Sequence, residues 1–304
     1  MSSEHATDID RDSANPERDR RETAIHGVTV SRRTVVVGTS LIALLAVTLR
    51  SVLRLLANVP FDPVVVSPAV RTAAVTAVPV SAGGALAGIA LTDDRPTVRV
   101  GLLFAGVFGL LGLLSPAATF PAVIAVTGGA ALALVGTLGL PGSLSYRPLR
   151  RRVIAAALVG AIAVSLADST GIAQGMHGVG SLLALTALAA VGTRAERSRL
   201  AAGAGVFTAA LVFYASTANP FVVGSALLVV FAVTGVPHLL FALAVAGGTA
   251  AATAGLSQRS YPLAIGAVLL VLGGVPVTLP RAMVVVLGAA LLVLDWERVG
   301  EVPA

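Results

Sequence analysis

The sequence predicts an all-α fold: a polytopic transmembrane helix bundle of about 11 spans, 10 being the alternative count, behind a disordered polar N-terminal tail. Three observations predict it. From Thr34 to about Asp295 the chain is a succession of Ala, Val, Leu, Gly and Ile runs. These are roughly 15 to 25 residues long, and about 20 apolar residues at 1.5 Å each cross a hydrocarbon core of roughly 30 Å. The composition is 56% hydrophobic and only 12% charged, with a mean hydropathy of +0.91, far from that of a soluble domain. Finally, Arg, Pro and Asp collect in the short breaks between the runs rather than within them.

Taken in order, residues 1–30 form a tail rather than a span. Glu4, Asp8, Asp10, Asp12, Glu17, Asp19 and Glu22 alternate there with Arg11, Arg18, Arg20 and Arg21, and too few apolar residues remain to bury a core. Ser31-Arg32-Arg33-Thr34 then precedes the first run. It resembles a twin-arginine export signal, but Arg50 and Arg54 interrupt the run and further spans follow, so it reads as the basic flank of an ordinary first helix. The expected spans are 34–57, 68–91, 99–115, 118–140, 152–172, 176–193, 200–216, 220–236, 238–256, 262–279 and 281–295. Phe221 to Leu256 has no Asp, Glu or Arg, and as one helix would measure about 54 Å, too long for a bilayer. Pro237 breaks it, and two spans are expected there. Residues 31–298 thus form the transmembrane domain and 299–304 a short C-terminal tail.

The arginines orient the bundle. With the N-terminus in the cytoplasm and eleven spans, only Arg50, Arg54, Arg71, Arg259 and Arg298 fall outside, and Arg281 falls inside. The excess of inner arginines predicts a multi-pass protein of the cell membrane with a cytoplasmic N-terminus and an outer C-terminus. Ten spans would leave four arginines outside and satisfy the same rule.

Internal similarity is a further signal. Ala105-Gly106-Val107-Phe108 recurs as Ala204-Gly205-Val206-Phe207, with Arg95 matching Arg194 and Pro121 matching Pro220. Thr119, Pro121 and Gly129-Ala130-Ala131-Leu132 match Thr278, Pro280 and Gly288-Ala289-Ala290-Leu291, and Ala82-Gly83-Gly84 matches Ala246-Gly247-Gly248. The matches suggest three-helix repeats. An odd unit implies that the adjacent copies 176–236 and 238–295 run in opposite senses, an arrangement many secondary transporters share.

The chemistry is defined mostly by what is missing. There is no Cys, and all 21 basic residues are Arg, which excludes thiolate chemistry, Schiff bases and a P-loop lysine. Only four His occur, two of them in the tail, so no metal or other cofactor is expected. The basic pI reflects arginines between spans, not a nucleic-acid face. No catalytic motif is present and no enzymatic activity is expected.

Asp168 ends an apolar run and is a candidate ion or proton site, read otherwise as a hydrated residue at the membrane interface. Arg50 and Arg54 share one helix face and either snorkel to the headgroups, pair with Asp62 or Asp168, or attract an anion. Gly84 and Gly88 in Gly84-Ala-Leu-Ala-Gly88 are expected to pack helix against helix. The expected partners are the lipid bilayer and other membrane proteins or a second copy. The function expected is that of a non-enzymatic membrane component packing with other membrane proteins; the alternative is a small-solute or ion transporter built from inverted repeats.

Overall fold

A computed structural model describes residues 32–57, 67–138, 146–195, 198–218, 227, 231–233 and 236–293. The polar tail of residues 1–30, most of the expected span 220–236 and the C-terminal residues 299–304 lie outside the described residues. The fold is all-helical. Among the described residues ten helices follow one another: α1 (Arg32–Ala57), α2 (Pro68–Thr92), α3 (Pro96–Leu111), α4 (Thr119–Leu138) and α5 (Tyr146–Ser169). They continue as α6 (His177–Val191), α7 (Arg199–Ala218), α8 (His238–Ser257), α9 (Tyr261–Gly273) and α10 (Leu279–Val293). Seven are long and apolar enough to cross a membrane, whereas α3, α9 and α10 are shorter.

Helix boundaries follow local chemistry. Ser67 accepts a hydrogen bond from the Val70 amide and Pro68 occupies the first turn of α2, where a missing N–H costs nothing. α5 begins at Tyr146 rather than at 152, running through Arg150, Arg151 and Arg152, because Arg is a good helix former and a charged turn can stand in the headgroup layer. α9 stops at Gly273, short of the expected end at 279. Gly274 takes φ +59°, a left-handed conformation open to glycine, and Pro276 follows within the next turn. α3 contains a wider turn, a π segment at Phe104–Phe108.

Glycines set the packing. At Gly101 and Gly129 the backbones of α3 and α4 approach so closely that a Cβ on Gly101 would stand 2.5 Å from the Gly129 carbonyl oxygen. The pair Gly266 and Gly288 plays the same part between α9 and α10, where a Cβ on Gly266 would stand 3.0 Å from the Gly288 carbonyl oxygen. Lipid provides no hydrophobic drive between helices, so such contacts supply the dispersion that holds them. α10 is the centre of the assembly: it touches α2, α3, α4, α5 and α9, and nearly every residue from Leu279 to Leu292 is buried.

The contacts also fix directions. α10 lies antiparallel to α3, since Gly109 meets Met283 while Val98 and Val293 line one crevice. Gly255 meets Ala264 and Gly248 meets Val271, so α8 and α9 are antiparallel. Val293 shares a crevice with Arg151 and Arg194. That end of the bundle also carries Arg95, Arg150, Arg152 and the α8–α9 turn with Arg259. It is termed the arginine-rich end, and α1 starts there, because Gly88, near the same end of α2, lies against Thr39.

Both ends of the described bundle sit at one face, which fits the ten-span alternative, with Arg259 at the arginine-rich end and Arg281 at the other. α6 and α8 also run in the same sense, so the units beginning at 176 and 238 are not inverted copies. The sequence similarity of α2–α4 to α8–α10 is matched by their like-placed glycine contacts, in the same orientation.

Candidate functional site

Arginine side chains at the arginine-rich end act as clasps. Arg150 Nη1 donates to the Thr193 carbonyl oxygen at 2.7 Å, and Arg152 Nη2 to that of Thr137 at 3.3 Å. Each satisfies a carbonyl that a helix end leaves without an intrahelical donor. A crevice at this end, between α3, α4, α5 and α10, is lined among the described residues by Val, Leu, Ile and Ala side chains and Thr137.

The opposite end differs. Arg50 and Arg54 stand one turn apart near the end of α1, and Arg281 stands in the first turn of α10. The fold packs α9 against α1 and α10 against α2, so all three arginines line one cleft. Ser51 adds a hydroxyl; Val47, Val78, Leu272 and Val284 supply apolar walls. Arg50 and Arg54 are half-buried, whereas Arg281 is only 6% exposed. Arg281 lies close enough to feel the charge of both others. Arg50 Nε is buried without a hydrogen-bond partner among the described residues. Three like charges brought together at a half-apolar cleft create a positive potential that an anion would relieve.

Asp168 does not join them. It is half-buried at the end of α5, and its Oδ1 accepts a hydrogen bond from the Met176 amide at 3.1 Å, closing the turn into α6. The carboxylate expected as an ion site is a loop clasp. Asp62 lies outside the described residues. Gly84 and Gly88 also part company: a Cβ on Gly88 would stand 3.6 Å from Thr39 Oγ1 of α1, whereas Gly84 is exposed, and a Cβ there would meet none of the described residues within 4 Å. His177 and His238 begin α6 and α8, both at the arginine-poor end. Among the described residues no group of His and acidic side chains could hold a metal.

A family model described as an integral membrane family of unknown function, DUF8068, matches residues 34–293. The chain belongs to this family. No curated protein and no solved structure matches it. In this DUF8068 member the arginine cleft escaped the sequence reading because Arg281 sits more than 200 residues from Arg54 in a segment that reads as an inner flank. The one available signal was that Arg281 follows Pro280 without a polar loop around it, unlike the clustered arginines at 150–152.

Proposed function

We propose that the protein is a non-enzymatic component of the cell membrane that packs against other membrane helices, with the arginine-rich end and the N-terminus in the cytoplasm. The orientation rests on the arginine bias: Arg95, Arg99, Arg150, Arg151, Arg152, Arg194, Arg199 and Arg259 gather at one end against Arg50, Arg54, Arg71 and Arg281 at the other. The packing role rests on Gly84. A glycine in a helix interior costs up to about 1 kcal/mol relative to alanine. A Cβ on Gly88 would stand in ordinary contact with Thr39 of α1, whereas one on Gly84 would meet none of the described residues. Ala73, Ala77 and Val80 continue the same exposed stripe along α2, a surface of small side chains suited to close approach by another helix.

The transport reading draws less support. Most hydroxyls within the spans donate to carbonyls of their own helix, as Thr48 does to Leu44 at 2.8 Å and Thr253 to Thr249 at 2.8 Å. They do not line a polar path, and the repeat units lack the inverted sense. The test is association within native membranes. Singly labelled protein should show co-localised copies or a stable partner at low density, and Gly84→Leu should abolish this while leaving the melting temperature within about 2 °C. A wild-type chain that diffuses alone at every density would overturn the reading.

A further inference from the structure

Among the described residues the end of the bundle opposite the arginine-rich end holds Arg50, Arg54, Arg71 and Arg281, and three of these four line one cleft. Scattered arginines at an interface can each snorkel to their own water; these converge instead. The acids available to balance them can be read from the chain. The helices at this end and the segments that join them, 58–66, 112–118, 170–176, 219–237 and 274–278, hold Asp62 and Asp168. Asp168 is committed to the Met176 amide. Even with Asp62 placed beside the cleft, three guanidinium groups keep an excess of two positive charges.

We propose that this cleft binds a phosphate group. Guanidinium forks match the oxygens of a tetrahedral oxyanion, and such charge-assisted bonds are about twice as strong as neutral ones. Arg50 Nε, buried without a partner among the described residues, is a donor facing this need. Arg281 lies in the first turn of α10, where the helix dipole adds to the field. The walls from Val47, Val78, Leu272 and Val284 suit the glycerol and first methylenes of a lipid, and the cleft lies one to two turns from the end of the apolar helix α1. The enclosed space of about 20 Å³ holds only one or two waters, so the phosphate sits at the open mouth of the cleft and a large solute does not enter. The anion is the phosphate of a membrane lipid in preference to the free ion.

The full-length protein is purified in a maltoside detergent, which contains no phosphate. Its melting temperature is then followed during titration with phosphatidylglycerol, with a digalactosyl lipid of the same chain length, and with sodium phosphate against sodium chloride at equal ionic strength. Phosphatidylglycerol should raise the melting temperature saturably and the galactolipid should not. Arg50→Gln and Arg54→Gln should each weaken the half-saturating concentration about tenfold, the loss of one charge-assisted contact. Shifts are taken from each variant's own baseline, so a change in intrinsic stability does not imitate a change in binding. Because Arg281 is buried and its removal threatens folding, Arg54→Lys is the second variant, expected to retain charge and weaken binding less than Gln. A saturable response to sodium phosphate alone, lost in the same variants, keeps the phosphate site and assigns it to the free ion. Equal responses to both lipids, or a phosphatidylglycerol response unchanged by the Gln variants, overturns the proposal.

Discussion

Replacing Gly129 by alanine adds one methyl group to the side of α4 that lies against α3. The new Cβ would stand 2.5 Å from the Gly101 carbonyl oxygen and 2.8 Å from the Ala105 amide nitrogen. Ordinary contact begins near about 3.5 Å, so α3 must retreat by about 1 Å along a seam where the obstacles are backbone atoms that cannot rotate away. Overpacking of this kind costs about 1–3 kcal/mol, and a backbone obstacle places it in the upper half of that range. Alanine meanwhile gains up to about 1 kcal/mol of helix propensity. Gly128 is the internal control: it is the preceding residue on the same helix, and a Cβ there meets nothing within 4 Å. Gly128→Ala takes the propensity gain without the clash. The two single-methyl variants should therefore differ by about 2–3 kcal/mol, or roughly 30- to 150-fold in the folding equilibrium. Reversible unfolding by a denaturing detergent in mixed micelles measures the difference directly. Equal midpoints for the two variants would refute the claim that backbone contact holds α3 to α4.

Three further outcomes are expected. Asp168→Ala should lower stability by about 1 kcal/mol through loss of the acceptor for the Met176 amide, and Asp168→Asn, which keeps an oxygen there, by distinctly less; equal loss in both would make charge rather than geometry the cause. The chain has no Cys, so single engineered thiols map its sides cleanly: Ser257→Cys and Ser67→Cys, both at exposed positions, should label from opposite faces of sealed vesicles. Labelling from the same face would restore the eleven-span count. Gly274→Ala should cost about 1–3 kcal/mol by thermal melting, because φ is +59° and a Cβ would lie 2.6 Å from the Phe231 carbonyl oxygen; an unchanged melting temperature would mean that the break after α9 relaxes freely.

The helices were legible because a lipid-embedded segment must satisfy every backbone group internally, and apolar length reports that requirement directly. Thr119–Leu138 and His238–Ser257 lie within two residues of the expected 118–140 and 238–256. Charge misplaced the start of α5, since Arg150–Arg152 looks like a loop when only hydropathy is weighed, although nothing in its backbone propensity resists the helix. The early end of α9 was written in Gly273-Gly274 and Pro276, but an apolar run through Val277 masked it. The cleft was half visible: the four-residue spacing of Arg50 and Arg54 put them on one face, while the approach of Arg281 depends on how α9 packs on α1 and α10 on α2, a long-range approach with no local pattern. The bond of Asp168 to the Met176 amide had no local pattern either, because a carboxylate at the end of an apolar run looks alike whether or not it closes a turn eight residues ahead.

The π segment at Phe104–Phe108 makes α3 two helices out of phase with each other. A π turn takes up one more residue than an α turn, which offsets the outer half by about 100° relative to an unbroken helix. Gly101, before the offset, nests against α4; Gly109, after it, meets Met283 of α10, and Gly112 beyond lies between Ala122 of α4 and Leu279 of α10. The offset turns Gly109 toward α10 while α4 stays in reach on both sides of it. Removing one residue between 104 and 108 would leave a regular α-helix in which Gly109 is rotated away from Met283. The helix thus works as a phase shifter, and its single surplus residue lets a hairpin near the start of the chain dock onto a helix near its end.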